Sequence, residues 1–366
     1  MTRAPRWQIG ATLLAPGRGG IAAVARMTAR TLAEAGADAA LLSCLDEHPP
    51  EAAGAPARTA RGSRARFAAE LHAAALARDV FIYDSVGMAR AHPHLPGLRR
   101  PYAVWVHGVE VWDHLSPARA RALRGAALVL ANSRFTLARL EARHGALAAA
   151  EVCPLATETD TPPAPRPPRP EGHRPTVLCL GRIDRAQMYK GQRELVACWP
   201  EVVRAVPGAR LVIAGGGDGV ALVRAAARRS PAAASIEVTG HVPERDLPAL
   251  WASADVFAMP SRGEGFGLVY AEAMRHGLPV IASRQDAGQE VNRHGETGLN
   301  VDLDAPEALP AALVALLRDR ALRERLGAGG ARRWWRHYRY GAFRDRLAPI
   351  LAAFASGAAA GQEARA

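Results

Sequence analysis

The sequence predicts an α/β protein built from two doubly wound parallel sheets, and three observations carry the prediction. Short apolar runs recur in two groups, apolar throughout and not alternating, as strands buried on both faces are. Longer helix-compatible stretches separate successive runs, which is the strand–helix alternation of a parallel sheet. A proline-rich stretch parts the two groups, and 366 residues exceed one ordinary core but suit two.

Taken in order, the first group of candidate strands is 8–14, 39–44, 80–84, 103–107 and 128–132. Gly17-Arg18-Gly19-Gly20 follows the first of them and opens a helix-compatible run, while His107 and Asn132 each end a strand. Residues 157–175, TETDTPPAPRPPRPEGHRP, come next. Repeated prolines remove donors and favour extended backbone, so this segment reads as a linker. The second group is 176–180, 210–214, 236–239, 256–259 and 280–283. Beyond it, residues 316–346 are rich in arginine and aromatics, and residues 358–366 read as a frayed end.

Composition narrows the function. Apolar residues make up 49% of the chain, normal for a folded protein, and no run of eighteen apolar residues marks a membrane span. The apolar stretch at the N-terminus is too short for a secretory signal and reads as the first strand. Cys44, Cys153, Cys179 and Cys198 lie far apart, the pattern of buried thiols in a reducing cytoplasm and not of a disulfide or zinc framework. A net charge of +12 points to an anionic partner. Nearly all the basic side chains are arginine, and Lys190 is the sole lysine. A lysine kept against such a bias is a candidate for a role that arginine does not fill.

The chemistry concentrates after strand 256–259, in Ser261-Arg262-Gly263-Glu264-Gly265-Phe266-Gly267 and the helix-compatible run from Leu268 to His276. Ligands bind at the carboxyl ends of strands in open α/β sheets. The glycines allow close backbone approach, and a helix N-terminus offers unpaired amides to an anion. Glu264 lies in the loop and Glu272 eight residues later, read as about two turns into a helix beginning near Gly267. Two carboxylates so placed accept hydrogen bonds from sugar and ribose hydroxyls.

EGFGLVYAE, with its Glu-x7-Glu spacing, resembles the retaining glycosyltransferases of the GT-B fold, family 4 type, the group of bacterial polysaccharide and lipopolysaccharide transferases. The resemblance extends to Gly181-Arg182, Lys190-Gly191, the glycine run 215–219, Gly240-His241-Val242 and residues 286–291. It implies two facing Rossmann-like domains: 1–156 for the acceptor and 176–335 for the nucleotide sugar. A last helix at about 336–356 then packs back on the first domain, with Trp334 and Trp335 packed between the two.

The resemblance further implies that Arg182 and Lys190 meet the donor diphosphate and that Glu264 grips the sugar hydroxyls. Gly265, Phe266, Gly267 and Leu268 hold sugar and diphosphate, Glu272 binds the ribose, and His241 and Val242 lie by the base. Gly19, Gly20 and His107 belong near the diphosphate and the transferred sugar. It implies retention of configuration, no metal and no cofactor, the nucleoside-diphosphate-sugar being a co-substrate and a glycan or lipid-linked molecule the acceptor. The setting would be cytoplasmic polysaccharide or glycoconjugate synthesis. Arg58, Arg61, Arg64, Arg66, Arg99 and Arg100 suit peripheral contact with an anionic membrane face. One departure is Val152-Cys153-Pro154-Leu155-Ala156, where relatives often carry Pro-Asn-Gly-Val-Asp, so contacts of that loop do not transfer.

Two other classes compete. Gly17-x-Gly19-x-x-Ala22 satisfies a dinucleotide-binding fingerprint, with Asp46 as the loose acidic partner, and would suit an NAD(P)-binding oxidoreductase. That reading leaves Lys190, Glu264 and Glu272 unexplained. A nucleic-acid binder would explain the charge, but only residues 332–339, RRWWRHYR, interleave basic and aromatic side chains, so no nucleic-acid partner is expected.

Overall fold

The computed structural model describes residues 4–49, 55–166, 169 and 171–363. They form two compact units, Met1–Thr159 with Tyr340–Ala366, and Asp160–Arg339.

The first unit holds a sheet of β1 (Trp7–Ala11), β2 (Ala39–Ser43), β3 (Ala57–Thr59), β4 (Val80–Tyr83), β5 (Tyr102–Val106), β6 (Leu128–Ala131) and β7 (Ala150–Val152). The strand order is β3-β2-β1-β4-β5-β6-β7 and every pairing is parallel. β1, β4, β5 and β6 are buried at every residue, which is why they read as unbroken apolar runs. β1 stops three residues short of the expected Leu14. The amide of Thr12 turns to Asp84 Oδ2 at 2.5 Å and that of Leu14 to Asp46 Oδ2 at 2.8 Å, which takes the backbone off the ladder.

Helix Gly20–Glu34 packs against the last helix, Tyr340–Glu363, so the C-terminal segment belongs to this unit. Phe343 is fully buried with its ring 6.1 Å from Trp105, and the Arg30 guanidinium lies 3.6 Å over Tyr340. The sequence reading of 358–366 as a frayed end is corrected. The helix continues through Glu363, and residues 364–366 lie outside the described residues.

The second unit holds β8 (Thr176–Leu180), β9 (Arg210–Ala214), β10 (Ile236–Gly240), β11 (Val256–Ala258), β12 (Val280–Ser283) and β13 (Gly298–Val301), ordered β10-β9-β8-β11-β12-β13 and again all parallel. Helices flank it, with Trp199 and Tyr270 among the fully buried side chains. β3, β7 and β13 escape a sequence reading because edge strands of three or four residues carry too little apolar signal.

Most of the proline-rich segment is tied to the second unit and does not act as a free tether. Arg166 and Arg169 both donate to the carbonyls of Ala252 and Ala254, and Arg169 and His173 both pair with Asp255, at 2.8 and 2.7 Å. Two further readings are adjusted. Trp334 is buried beneath the Arg275 guanidinium, but Trp335 is 48% exposed with Arg339 over its ring, and both belong to the second unit. The two tryptophans therefore do not pack alike. No disulfide joins the described cysteines, and burial pushes the Cys153, Cys179 and Cys198 thiols up to about 12, which makes them inert.

Candidate active site

The order β9-β8-β11-β12 means the chain departs from β8 in opposite directions, and ligands bind at such a switch point, beyond the carboxyl ends of the two strands. The loop after β8 carries Arg182 and Lys190, and the loop after β11 carries residues 261–267. They meet there. Lys190 Nζ donates to Glu264 Oε1 at 2.7 Å, with both side chains mostly buried, at 17% and 14% exposure.

Glycine makes this approach possible. Lys190 ends the short helical turn Arg185–Lys190, and Gly191 follows in left-handed backbone at φ 84. A Cβ on Gly191 would stand 2.5 Å from the carbonyl oxygen of Pro260. The Tyr189 carbonyl accepts from the Arg262 amide at 2.9 Å, and a Cβ on Gly263 would meet the Tyr189 ring at 2.7 Å. Gly267, at φ 86, begins helix Leu268–Arg275, and a Cβ there would meet the Tyr270 ring at 2.3 Å. Tyr270 in turn donates its hydroxyl to Met259 O at 2.7 Å. The first turn of this helix has no acidic residue, so none of its own carboxylates offsets the positive end.

Glu272 lies four residues past Leu268, about one turn into the helix and not two, because the eight-residue spacing is counted from Glu264, which lies in the loop before the helix. It is half-buried. Arg182 is 59% exposed and pairs loosely with Asp184 at 3.4 Å. His241 is exposed beside the glycine run, where a Cβ on Gly216 would lie 3.3 Å from its own, and Val242 follows it half-buried. The strand ends there are knitted by backbone: Gly215 N to Gly240 O at 2.8 Å, Ile183 N to Gly216 O at 2.9 Å, Gly219 N to Ile183 O at 2.8 Å.

Asp286, fully buried, escaped the sequence reading as a site residue. Its Oδ2 accepts the Glu264 amide at 2.8 Å and its Oδ1 the Gly288 amide at 2.8 Å. Burial raises its carboxyl to about 7, with the Glu264 charge adding to the rise and the amides of Glu264 and Gly288 opposing it. Asp286 thus fixes the backbone that carries Glu264. Its signature was an Asp two residues before a glycine, the Asx turn.

Gly19, Gly20 and His107 lie in the first unit and are not brought to Lys190 within either compact unit. Gly19, at φ 94, caps helix Gly20–Glu34, and both glycines are exposed. His107 Nε2 stands 2.7 Å from the Asp84 carbonyl, which only accepts, so Nε2 carries the proton. Asn132 Nδ2 donates to His107 O at 2.8 Å, and the imidazole stacks on Trp105. Asp84 is buried and raised to about 6 by desolvation, against its hydrogen bonds from Thr12 and Ser85. Asp46 does not serve a dinucleotide ribose: its two oxygens take the amides of Leu14 and Ala15.

Among the described residues, no group of three or more His, Cys, Asp and Glu side chains is arranged to hold a metal ion, and no helix is long and apolar enough to cross a membrane.

Known proteins resemble this chain in sequence and in fold. A family model described as glycosyl transferases group 1 matches residues 174–319, which span the switch-point site. A GDP-mannose-dependent alpha-(1-6)-phosphatidylinositol monomannoside mannosyltransferase of Mycobacterium tuberculosis is 37% identical over 273 residues, covering 69% of this chain and 68% of that protein. A phosphatidyl-myo-inositol mannosyltransferase of the same organism is 40% identical over 160 residues, 42% of this chain and 41% of that one. Among solved structures, HepE of Anabaena in complex with UDP and glucose superposes with a TM-score of 0.77 at 18% identity, covering 95% of this chain and 99% of that one. Sucrose-phosphate synthase from Thermosynechococcus elongatus does so at 0.76 and 20% identity, covering 96% and 100%. These give no support to the oxidoreductase reading, and the two parallel sheets are those of the GT-B fold. The chain belongs to the group 1 glycosyl transferases and is a glycosyltransferase.

Proposed function

We propose that this glycosyltransferase takes mannose from GDP-mannose, seated at the β8–β11 switch point, and passes it to a hydroxyl of a phosphatidylinositol-type glycolipid. The observation that carries the donor site is the Lys190–Glu264 pair beside the amino end of helix Leu268–Arg275. Choice of mannose and of the lipid rests on the relative at 37% identity. On donor binding, Lys190 exchanges its carboxylate partner for a diphosphate oxygen, and Glu264 is released to accept hydrogen bonds from the sugar hydroxyls. Lys190, Arg182 and the helix amides then stabilise the negative charge that grows on the departing nucleotide. Glu272 accepts from the ribose, and His241 and Val242 lie by the base. Acceptor binding falls to the first unit, whose Gly19, Gly20 and His107 belong near the diphosphate and the transferred sugar.

The transfer retains configuration, through same-face attack on an oxocarbenium-like centre, with Glu264 positioning the sugar and forming no bond to it. No metal is needed, because side-chain and dipolar charge meet the diphosphate. The reaction runs in the cytoplasm, and the basic first unit rests against an anionic membrane face. Arg58 and Arg66 both share Glu70 in the free protein, so part of that charge is internally paired.

The test is a thermal-shift screen of GDP, UDP and ADP, each free and sugar-linked, followed by transfer from labelled GDP-mannose to phosphatidylinositol mannosides with and without EDTA. Stabilisation by GDP and GDP-mannose above the others, with EDTA-resistant transfer, is expected. A preference for UDP or ADP would overturn the mannose assignment, and activity lost to EDTA and restored by magnesium would overturn metal independence.

A further inference from the structure

A second charged concavity lies in the same unit, outside the loops that meet at the switch point. Helix Arg320–Arg333 and the π-turn Trp334–Tyr338 face the turn that leads into the amino end of β13, and together they line an open cavity of about 470 Å³. That is the size of a small-molecule site and larger than a single phosphate needs. Arg325, Arg332, Arg333, Arg336 and His337 line it, with Glu296 the acidic side chain among the lining residues.

The wall is built and not merely charged. A Cβ on Gly329 would stand 2.0 Å from the Glu296 carbonyl, so glycine lets the helix lie directly on the turn. Arg333 donates to the carbonyls of Val291 and Glu290 at 2.9 and 3.0 Å and to the Tyr338 hydroxyl at 2.9 Å. Arg325 donates to Gly295 O at 2.9 Å. Arg332 and Arg336 differ: they are exposed, and neither makes an ion pair among the described residues. Like charges four residues apart repel, and a π-turn is a local irregularity that often accompanies function. Guanidinium groups present a planar fork of donors suited to phosphate oxygens.

We propose that this cavity is a binding site for a multiply charged phosphorylated ligand, held mainly by Arg332 and Arg336 and separate from the donor site. Its source is either a free polyphosphate-like anion or a phosphorylated lipid headgroup, and one variant separates the two. The double variant R332A/R336A alters exposed side chains, so it should fold, as its circular dichroism and thermal midpoint would verify; R336Q alone is the milder form. Inorganic tripolyphosphate is titrated by calorimetry into wild type and variant, and both are sedimented with phosphatidylcholine vesicles with and without a phosphatidylinositol bisphosphate. Because the donor loops are common to both proteins, the difference isolates the cavity. A tenfold or greater loss of tripolyphosphate affinity, with turnover on soluble donor unchanged, is expected. If vesicle binding falls as well, the ligand is a headgroup; if it does not, the ligand is free. Tripolyphosphate and vesicle binding both unaltered in the two variants would overturn the proposal.

Discussion

Lys190 and Glu264 occupy each other, 2.7 Å apart and mostly shielded from water. Removing one member of an ion pair at that depth strands the other charge. Lys190→Ala and Glu264→Ala are each expected to cut transfer at least roughly a hundredfold, the loss of one transition-state contact of about 2.7 kcal/mol, while circular dichroism stays native. Steady-state kinetics on purified variants check this, and near-normal turnover in either would remove both residues from the mechanism. Lysine composition and the Glu-x7-Glu spacing made these two residues legible. Asp286 was not, although it holds the Glu264 amide. A single aspartate before a small residue and a glycine looks like any turn until the neighbouring loop is placed against it.

Elements position these side chains through close backbone contact. Helix Leu268–Arg275 starts where Gly267 takes left-handed backbone and where a side chain would overlap the Tyr270 ring. Gly267→Ala therefore faces a backbone cost of about 1–2 kcal/mol and a collision besides. The expected outcome is a protein whose urea midpoint falls and whose donor KM rises together, because the helix end and the Glu264 loop move as one. A G267A protein with native KM would show that the helix start does not position the donor. The buried central strands were readable because burial on both faces writes a continuous apolar run. β3, β7 and β13 were not, being three or four residues long at or near a sheet edge. The linker was read correctly as irregular but not as anchored: proline content signals extended backbone, whereas the attachment depends on carbonyls of Ala252 and Ala254 that no local pattern reveals.

At the scale of the molecule, each unit holds a carboxyl and an imidazole that desolvation turns against their charge. Asp84 and Asp286 are raised to about 6 and 7, chiefly by desolvation. Each contributes stability that is full below the unfolded value near 4 and is lost as pH rises through its folded value. His92 and His276 are lowered to about 4, again chiefly by burial. Their stability is full above the unfolded value near 6.5 and is lost as pH falls through 4. Around pH 5 the two effects oppose, and the wild-type urea stability should change little with pH. Asp286→Asn removes one of the two carboxyls and leaves two imidazoles against Asp84, so stability should then rise with pH, by up to about 1.4 kcal/mol per unit for one proton. Denaturation between pH 4.5 and 6.5 checks this, and a variant as flat as wild type would contradict it. The sequence by itself determined the fold class, the two strand groups and the candidate residues at the strand ends, because apolar runs, glycines and charges there are local facts. Only the tertiary structure decided that Lys190 reaches Glu264 and that Asp286 holds the Glu264 amide. Both depend on strand order, which brings together residues about seventy and twenty positions apart, and no local pattern encodes such meetings.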